Sequence, residues 1–174
     1  IGVEPVSVIA HDRNDADDPR IAELVRDAGL IYLSGGNPTF LANTLRETLL
    51  WKEIESSWRD GAALAGCSAG AMALADHIPA LRLPTHSATS GLGLLPHIRV
   101  LPHFDKMFAR LPDFMTRFMK VPDGVSVVGI DEDTAIVGGP FEWEVQGRQS
   151  AWLFIAGHRK EFKSGQTLVT PKIS

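Results

Sequence analysis

Cysteine is almost absent from this chain, with Cys67 the one example in 174 residues. That excludes an internal disulfide and a cysteine-based zinc cluster, and it suits a reducing compartment. Long apolar runs are missing too: no stretch approaches the ~20 residues of a membrane span, and the first ten residues lack the basic start and apolar core of a signal peptide. Basic charge is in short supply. Lys and Arg number 17 against 21 Asp and Glu, a formal net charge of -4, and the basic residues are scattered, so neither nucleic acid nor an anionic membrane is expected as partner. These absences predict a cytoplasmic protein, although the chain begins at Ile1 rather than Met and a removed targeting segment stays open. A hydrophobic share of 44% with 22% charged residues is enough to bury one core, so residues 1–174 are expected to form a single domain.

Punctuation by Gly and Pro divides the chain into alternating strands and helices. Val6–Ala10 is β-branched and ends at the polar cluster His11–Asp18, which reads as a strand followed by a solvated loop. Pro19 opens a helix that stops at Gly29, and Leu30–Leu33 is a second strand ending at Gly35-Gly36-Asn37. Phe40, Leu41, Leu45, Leu49 and Leu50 mark another helix, with Trp51, Ile54 and Trp58 extending or following it. Trp51 and Trp58 read as core or interface anchors, the latter compatible with a homo-oligomer. A third strand runs through Ala62–Ala65. Residues 81–96 read as a long connection, 98–101 as a strand, 108–119 as a helix, 125–130 and 134–137 as strands, and 142–155 as antiparallel edge structure. Such alternation implies a mainly parallel sheet with helices on both faces, and ligands gather at the carboxyl ends of its strands.

At one of those ends stands Gly66-Cys67-Ser68-Ala69-Gly70, between an apolar run and the helix-prone Ala71–Ala75. This is the pattern of a nucleophile elbow, in which a strained turn pushes the central side chain, Ser68, toward solvent at a helix N-terminus. Serine needs a base and a group to orient that base. His103, just past a strand and fixed by Pro102, is the preferred base. Glu132 in Gly129-Ile130-Asp131-Glu132-Asp133 is the preferred acid, with Asp131 the alternative in the same turn. Oxyanion donors fall on the N–H of Ala69 and on Gly36, whose Gly-Gly turn lets the main chain approach a substrate. Cys67 lies one position off the centre of the elbow and is expected as a buried, inert thiol. Two other readings stay open: an esterase of the α/β-hydrolase type using the later His158, and a non-catalytic scaffold that kept the fold.

Four segments in order, Gly35-Gly36-Asn37-Pro38-Thr39-Phe40-Leu41, Gly66–Ala71, Leu101-Pro102-His103-Phe104-Asp105 and Gly129–Ala135, resemble the serine peptidases of the peptidase E (aspartyl dipeptidase) and cyanophycinase family. The resemblance spans most of the chain. It implies a flavodoxin-like three-layer sandwich of the class I glutamine-amidotransferase type, no metal or cofactor, and a small peptide substrate. It also implies Ser68 as nucleophile, His103 as base, Glu132 as acid, and Gly36 with Ala69 as the oxyanion hole. Members of the family have a further strand and helix before the segment that begins here, so this chain is expected to lack them. Their acid has also been placed soon after the elbow helix, where this sequence offers Asp76.

Overall fold

The computed structural model describes residues 2–79, 89–107, 124–155 and 158–172. Near the amino end, the expected strand at 6–10 does not form. Val3, Val6 and Ile9 are exposed while Val8 and Ala10 lean on the neighbouring core. β-branching makes a strand only where a sheet edge is there to pair with, and propensity alone did not supply one. The polar cluster also differs from the expected loop. Asp12 accepts the N–H groups of Asn14 and Asp15 and starts α1 (Arg13–Ala16), and Asp18 caps α2 (Pro19–Glu23). Its aspartates satisfy free helix N–H groups rather than simply meeting water.

Alternation then takes over. In β1 (Leu30–Leu33), Ile31 and Leu33 are buried and Leu30 and Tyr32 exposed. α3 (Pro38–Leu45) and α4 (Leu49–Arg59) are separate helices, because Glu47 takes a φ of 65° and Thr48 Oγ1 accepts the Trp51 N–H to start the second. Leu50, Trp51 and Ile54 turn one face of α4 into the core shared with Ile31, Leu33 and Val25, whereas Trp58 stays largely outside it. β2 (Ala63–Gly66) returns parallel to β1, Leu33 opposite Gly66, and runs straight into α5 (Ala69–Ala73).

Of the connection expected over 81–96, residues 81–88 and His86 lie outside the described residues, as does the helix expected at 108–119. The described ends of that connection are ordered by pairing. β3 (His77–Ile78) is antiparallel to β4 (Thr89–Ser90), and Leu95 bridges to Ala75. β5 (Ile98–Leu101) is followed by α6 (Phe104–Met107) and lies parallel to β6 (Ser126–Ile130), Leu101 opposite Gly129. β7 (Thr134–Gly138) and β8 (Glu142–Gly147) form a hairpin. Beyond them come β9 (Ser150–Ile155), β10 (His158–Lys163) and β11 (Thr167–Val169). The sheets order as β10-β9-β6-β5 and β11-β8-β7, around a second core of Ile98, Val100, Val128, Val145, Leu153 and Leu168.

The architecture is thus mixed α/β. The pairs that present Ser68, His103 and Glu132, β1–β2 and β5–β6, are parallel, while β8, β9, β10 and β11 make only antiparallel pairings among the described residues. No described helix is long and apolar enough to cross a membrane.

Candidate active site

The elbow forms because its glycines let a helix start on top of a strand end. A Cβ on Gly66 would stand 2.7 Å from the Ala71 nitrogen, and one on Gly70 would stand 2.7 Å from the Leu33 carbonyl carbon. No side chain fits at either place. Ser68, at the tip, has φ 51° and ψ −109°, a strained conformation that the packed strand and helix on either side hold in place. Its hydroxyl projects beyond the sheet. Cys67 departs from expectation: its thiol is exposed, not buried. Its N–H continues the ladder to Leu33 O, so strand alternation sends its side chain away from the face that Gly66 gives to α5. On that other side it meets the Tyr32 hydroxyl, and the hydrogen bond to Cys67 holds the Tyr32 phenol above its ordinary pKa.

The residues proposed from sequence for the proton relay come together. His103 and Glu132 stand at the ends of the parallel neighbours β5 and β6, and the Ser68 hydroxyl donates to His103 Nε2 at 2.8 Å. On the other side of the ring, His103 Nδ1–H donates to Glu132 Oε1 at 2.8 Å. The ionised carboxylate can only accept, so Nδ1 carries the proton and Nε2 is left with a lone pair for serine. Such a chain of bonds can pass a proton from the hydroxyl to the imidazole and stabilise the resulting cation. His103 and Glu132 side chains are 39% and 42% exposed, so substrate can reach the ring.

Asp131 and Asp76, the alternative acids, do not join this chain of bonds. Odd and even residues leave a strand on opposite sides. Asp131 accordingly turns inward from Glu132 and accepts the Trp152 Nε1–H at 3.0 Å and the Ser150 N–H at 3.2 Å. Burial pushes its carboxyl above the usual range. Asp76 pairs with His77 Nδ1 at 2.6 Å. Of the other histidines, His97 is buried and donates to the Pro140 carbonyl, and His11 and His158 are exposed. Sequence reasoning gave no role to Asp105, although it lies two residues past His103; its Oδ1 accepts the Glu132 N–H at 3.0 Å.

Facing the serine is the Gly35-Gly36 turn. A Cβ on Gly35 would lie 3.5 Å from Ser68 Cβ and 4.0 Å from its Oγ, so the main chain passes close beside the hydroxyl. Gly36 has φ 136°, a region essentially closed to side chains. Asn37 then caps α3 through the Phe40 N–H at 3.0 Å. Ala69 is the first residue of α5, where an N–H has no intrahelical acceptor. A cavity of about 420 Å³ opens beyond Asn37, lined by His11, Thr39, Phe40 and Asn43. It does not include Ser68, so the hydrogen-bonded geometry, not the cavity, marks the chemistry.

The chain is similar to cyanophycinases, among them those from Synechococcus elongatus at 36% identity over 77% of this chain and 44% of that protein, and from Geminocystis herdmanii at 28% over 79% and 53%. The chain thus spans about half the length of the curated relatives it matches. A crystal structure of a peptidase from an acI-B1 Actinobacterium superposes with a TM-score of 0.79 at 42% identity, covering 91% of this chain and 66% of that one. The model of peptidase family S51 matches residues 2–139, a span that includes Ser68, His103 and Glu132, and the chain belongs to that family.

Proposed function

We propose that this chain is a serine peptidase that cleaves a small peptide or amide bond through an acyl-enzyme. The observation that carries the reading is the His103 ring bridging Ser68 Oγ and Glu132 Oε1 with 2.8 Å bonds. Ser68 Oγ attacks the scissile carbonyl carbon as its proton passes to His103 Nε2, and the carbonyl electrons move onto the oxygen. The N–H groups of Ala69 and Gly36 receive that oxyanion, a contribution of about 2.7–4 kcal/mol per donor in a related setting. Collapse breaks the C–N bond, and the leaving amine takes the proton from His103. Water then gives a proton to the same nitrogen, attacks the ester and frees Ser68.

The fold that suits this reading is a flavodoxin-like three-layer sandwich of the class I glutamine-amidotransferase type, formed as one hydrolytic domain. Relatives named as cyanophycinases and as a peptidase favour a peptide-like substrate. We infer a short one, an aspartyl or β-aspartyl dipeptide among the candidates, held by its free amino end. Hydrolysis of a dipeptide panel varied at the first residue, aspartyl and β-aspartyl forms included, tests the proposal. Turnover should vanish in Ser68→Ala and persist in Cys67→Ala; the reverse pattern would overturn it.

A further inference from the structure

The His103–Glu132 pair is open to solvent, with side chains 39% and 42% exposed, so burial does not hold its geometry. The backbone must. Glu132 lies just past the sheet: β6 ends at Ile130, and the last ladder bond is that from the Asp131 N–H to Ser150 O at 3.1 Å. The next amide, that of Glu132, has left the ladder, and Asp133 immediately turns to a φ of 52°. The carbonyl side of the turn is held, since Thr134 Oγ1–H donates to the Glu132 carbonyl at 3.1 Å and the Arg148 N–H to the Asp133 carbonyl at 2.9 Å, so what remains to be fixed is the Glu132 amide on the side that faces His103.

Asp105 occupies that position. Its Oδ1 accepts the Glu132 N–H at 3.0 Å, while its Oδ2 faces Lys106 Nζ at 3.3 Å. The carboxylate is itself well anchored, being 18% exposed and following Phe104, which is 1% exposed. The Phe104 ring lies against Gly129, where an added Cβ would come within 2.7 Å of it, and against the rings of Trp152 and Phe154 with centroids 5.6 Å away. His103, the residue before Phe104, has a φ of 53°. One tripeptide, His103-Phe104-Asp105, therefore supplies the base, the wedge that fixes it to β6, and the acceptor for the acid's own backbone.

We propose that Asp105 is a positioning residue that locks the backbone of Glu132 so that its carboxylate stays on His103 Nδ1. This rests on the reading of Ser68, His103 and Glu132 as a proton relay. What the lock needs is an acceptor oxygen at Oδ1, not a charge, so Asp105→Asn preserves it and Asp105→Ala removes it. A displacement of the acid by about 1 Å is enough to cost roughly 10²-fold in rate.

The test measures the rate of Ser68 labelling by a fluorophosphonate and, by NMR, the low-field His103 Nδ1 proton. In Asp105→Ala labelling should slow about 10²-fold and the resonance should weaken or vanish; in Asp105→Asn both should return to near the unmutated values. A folded Asp105→Ala protein with unchanged labelling and resonance would overturn the proposal, as would equal damage in Asp105→Asn. Hydrogen exchange of the Glu132 amide in the unmutated protein needs no variant to fold. Protection is expected, and exchange at the rate of an open amide would also overturn the lock. Absence of any Ser68 labelling in the unmutated protein is a separate result that defeats the relay reading itself.

Discussion

Replacing Gly70 by alanine should damage reactivity and stability together, because this glycine sets the distance between α5 and β1. The added Cβ would stand 2.7 Å from the Leu33 carbonyl carbon and 2.9 Å from Leu33 Cβ, and nearer still to the Leu33 oxygen. These are backbone atoms and a strand side chain that cannot swing away. Ordinary contact begins near 3.4 Å, so the start of α5 must retreat by roughly 1 Å, a misplacement that costs about 10²-fold in rate when it reaches reacting atoms. Ser68 and Ala69 lie within two residues of that clash and will share the shift. In free energy, the expected loss of reactivity is about 2.7 kcal/mol, with a further ~1–3 kcal/mol of folding stability from overpacking. Phosphonate labelling rates and urea denaturation measure the two losses. Gly29→Ala is the control, since nothing lies within 4 Å of a Cβ there and a change of no more than about 0.5 kcal/mol is expected. A Gly70→Ala protein as stable and reactive as Gly29→Ala would refute the reasoning.

Glu132→Gln should lower kcat by roughly 10³–10⁴-fold, because a side-chain amide facing Nδ1 favours the wrong imidazole tautomer. Asp131→Asn and Asp76→Asn should each cost less than about tenfold under the same assay, since neither carboxylate meets His103. Stability should respond to pH in opposite senses at the two aspartates flanking this site. The Glu132 N–H holds Asp105 below its ordinary value of 3.8, so its contribution is present above that value and lost as pH falls through its folded pKa. Burial holds Asp131 above the ordinary range, so its contribution is present at low pH and lost as pH rises through its folded pKa. Urea midpoints across the acid range should therefore fall less steeply with falling pH in Asp105→Asn than in the unmutated protein. For substrate, N-acetylation of a good dipeptide should lower kcat/KM by at least about tenfold, equivalent to roughly 1.4 kcal/mol; efficient turnover of long N-blocked peptides would contradict a site built for short ones.

The hydrogen-bonded grouping of Ser68, His103 and Glu132 was legible in sequence because each sits where a strand ends, and Gly, Pro and apolar runs announce those ends strongly. Gly35-Gly36, Ser68, His103 and Glu132 all follow such a run directly. The choice between Glu132 and Asp131 was harder, since adjacent carboxylates differ only in which side of the strand end they leave, and Trp152, which claims Asp131, is 21 residues away in the chain. Val6–Ala10 misled for a related reason: β-branched residues announce a strand whether or not a partner edge is present. In the polar segment before Pro19, the same aspartates serve equally as loop residues or as caps, and only the helix they start decides. Cys67 was misplaced because burying it required a covered face beside β2, whereas Leu30, Tyr32 and Cys67 share an exposed one.

The central claim is that Ser68 is an activated nucleophile served by His103. Intact-protein mass spectrometry after brief exposure to a fluorophosphonate tests it most directly. The account predicts a single adduct located on Ser68, absent in Ser68→Ala, much slower to form in His103→Ala, and unchanged in Cys67→Ala. A folded protein that takes up no reagent, or an adduct that forms as fast without His103, would contradict it.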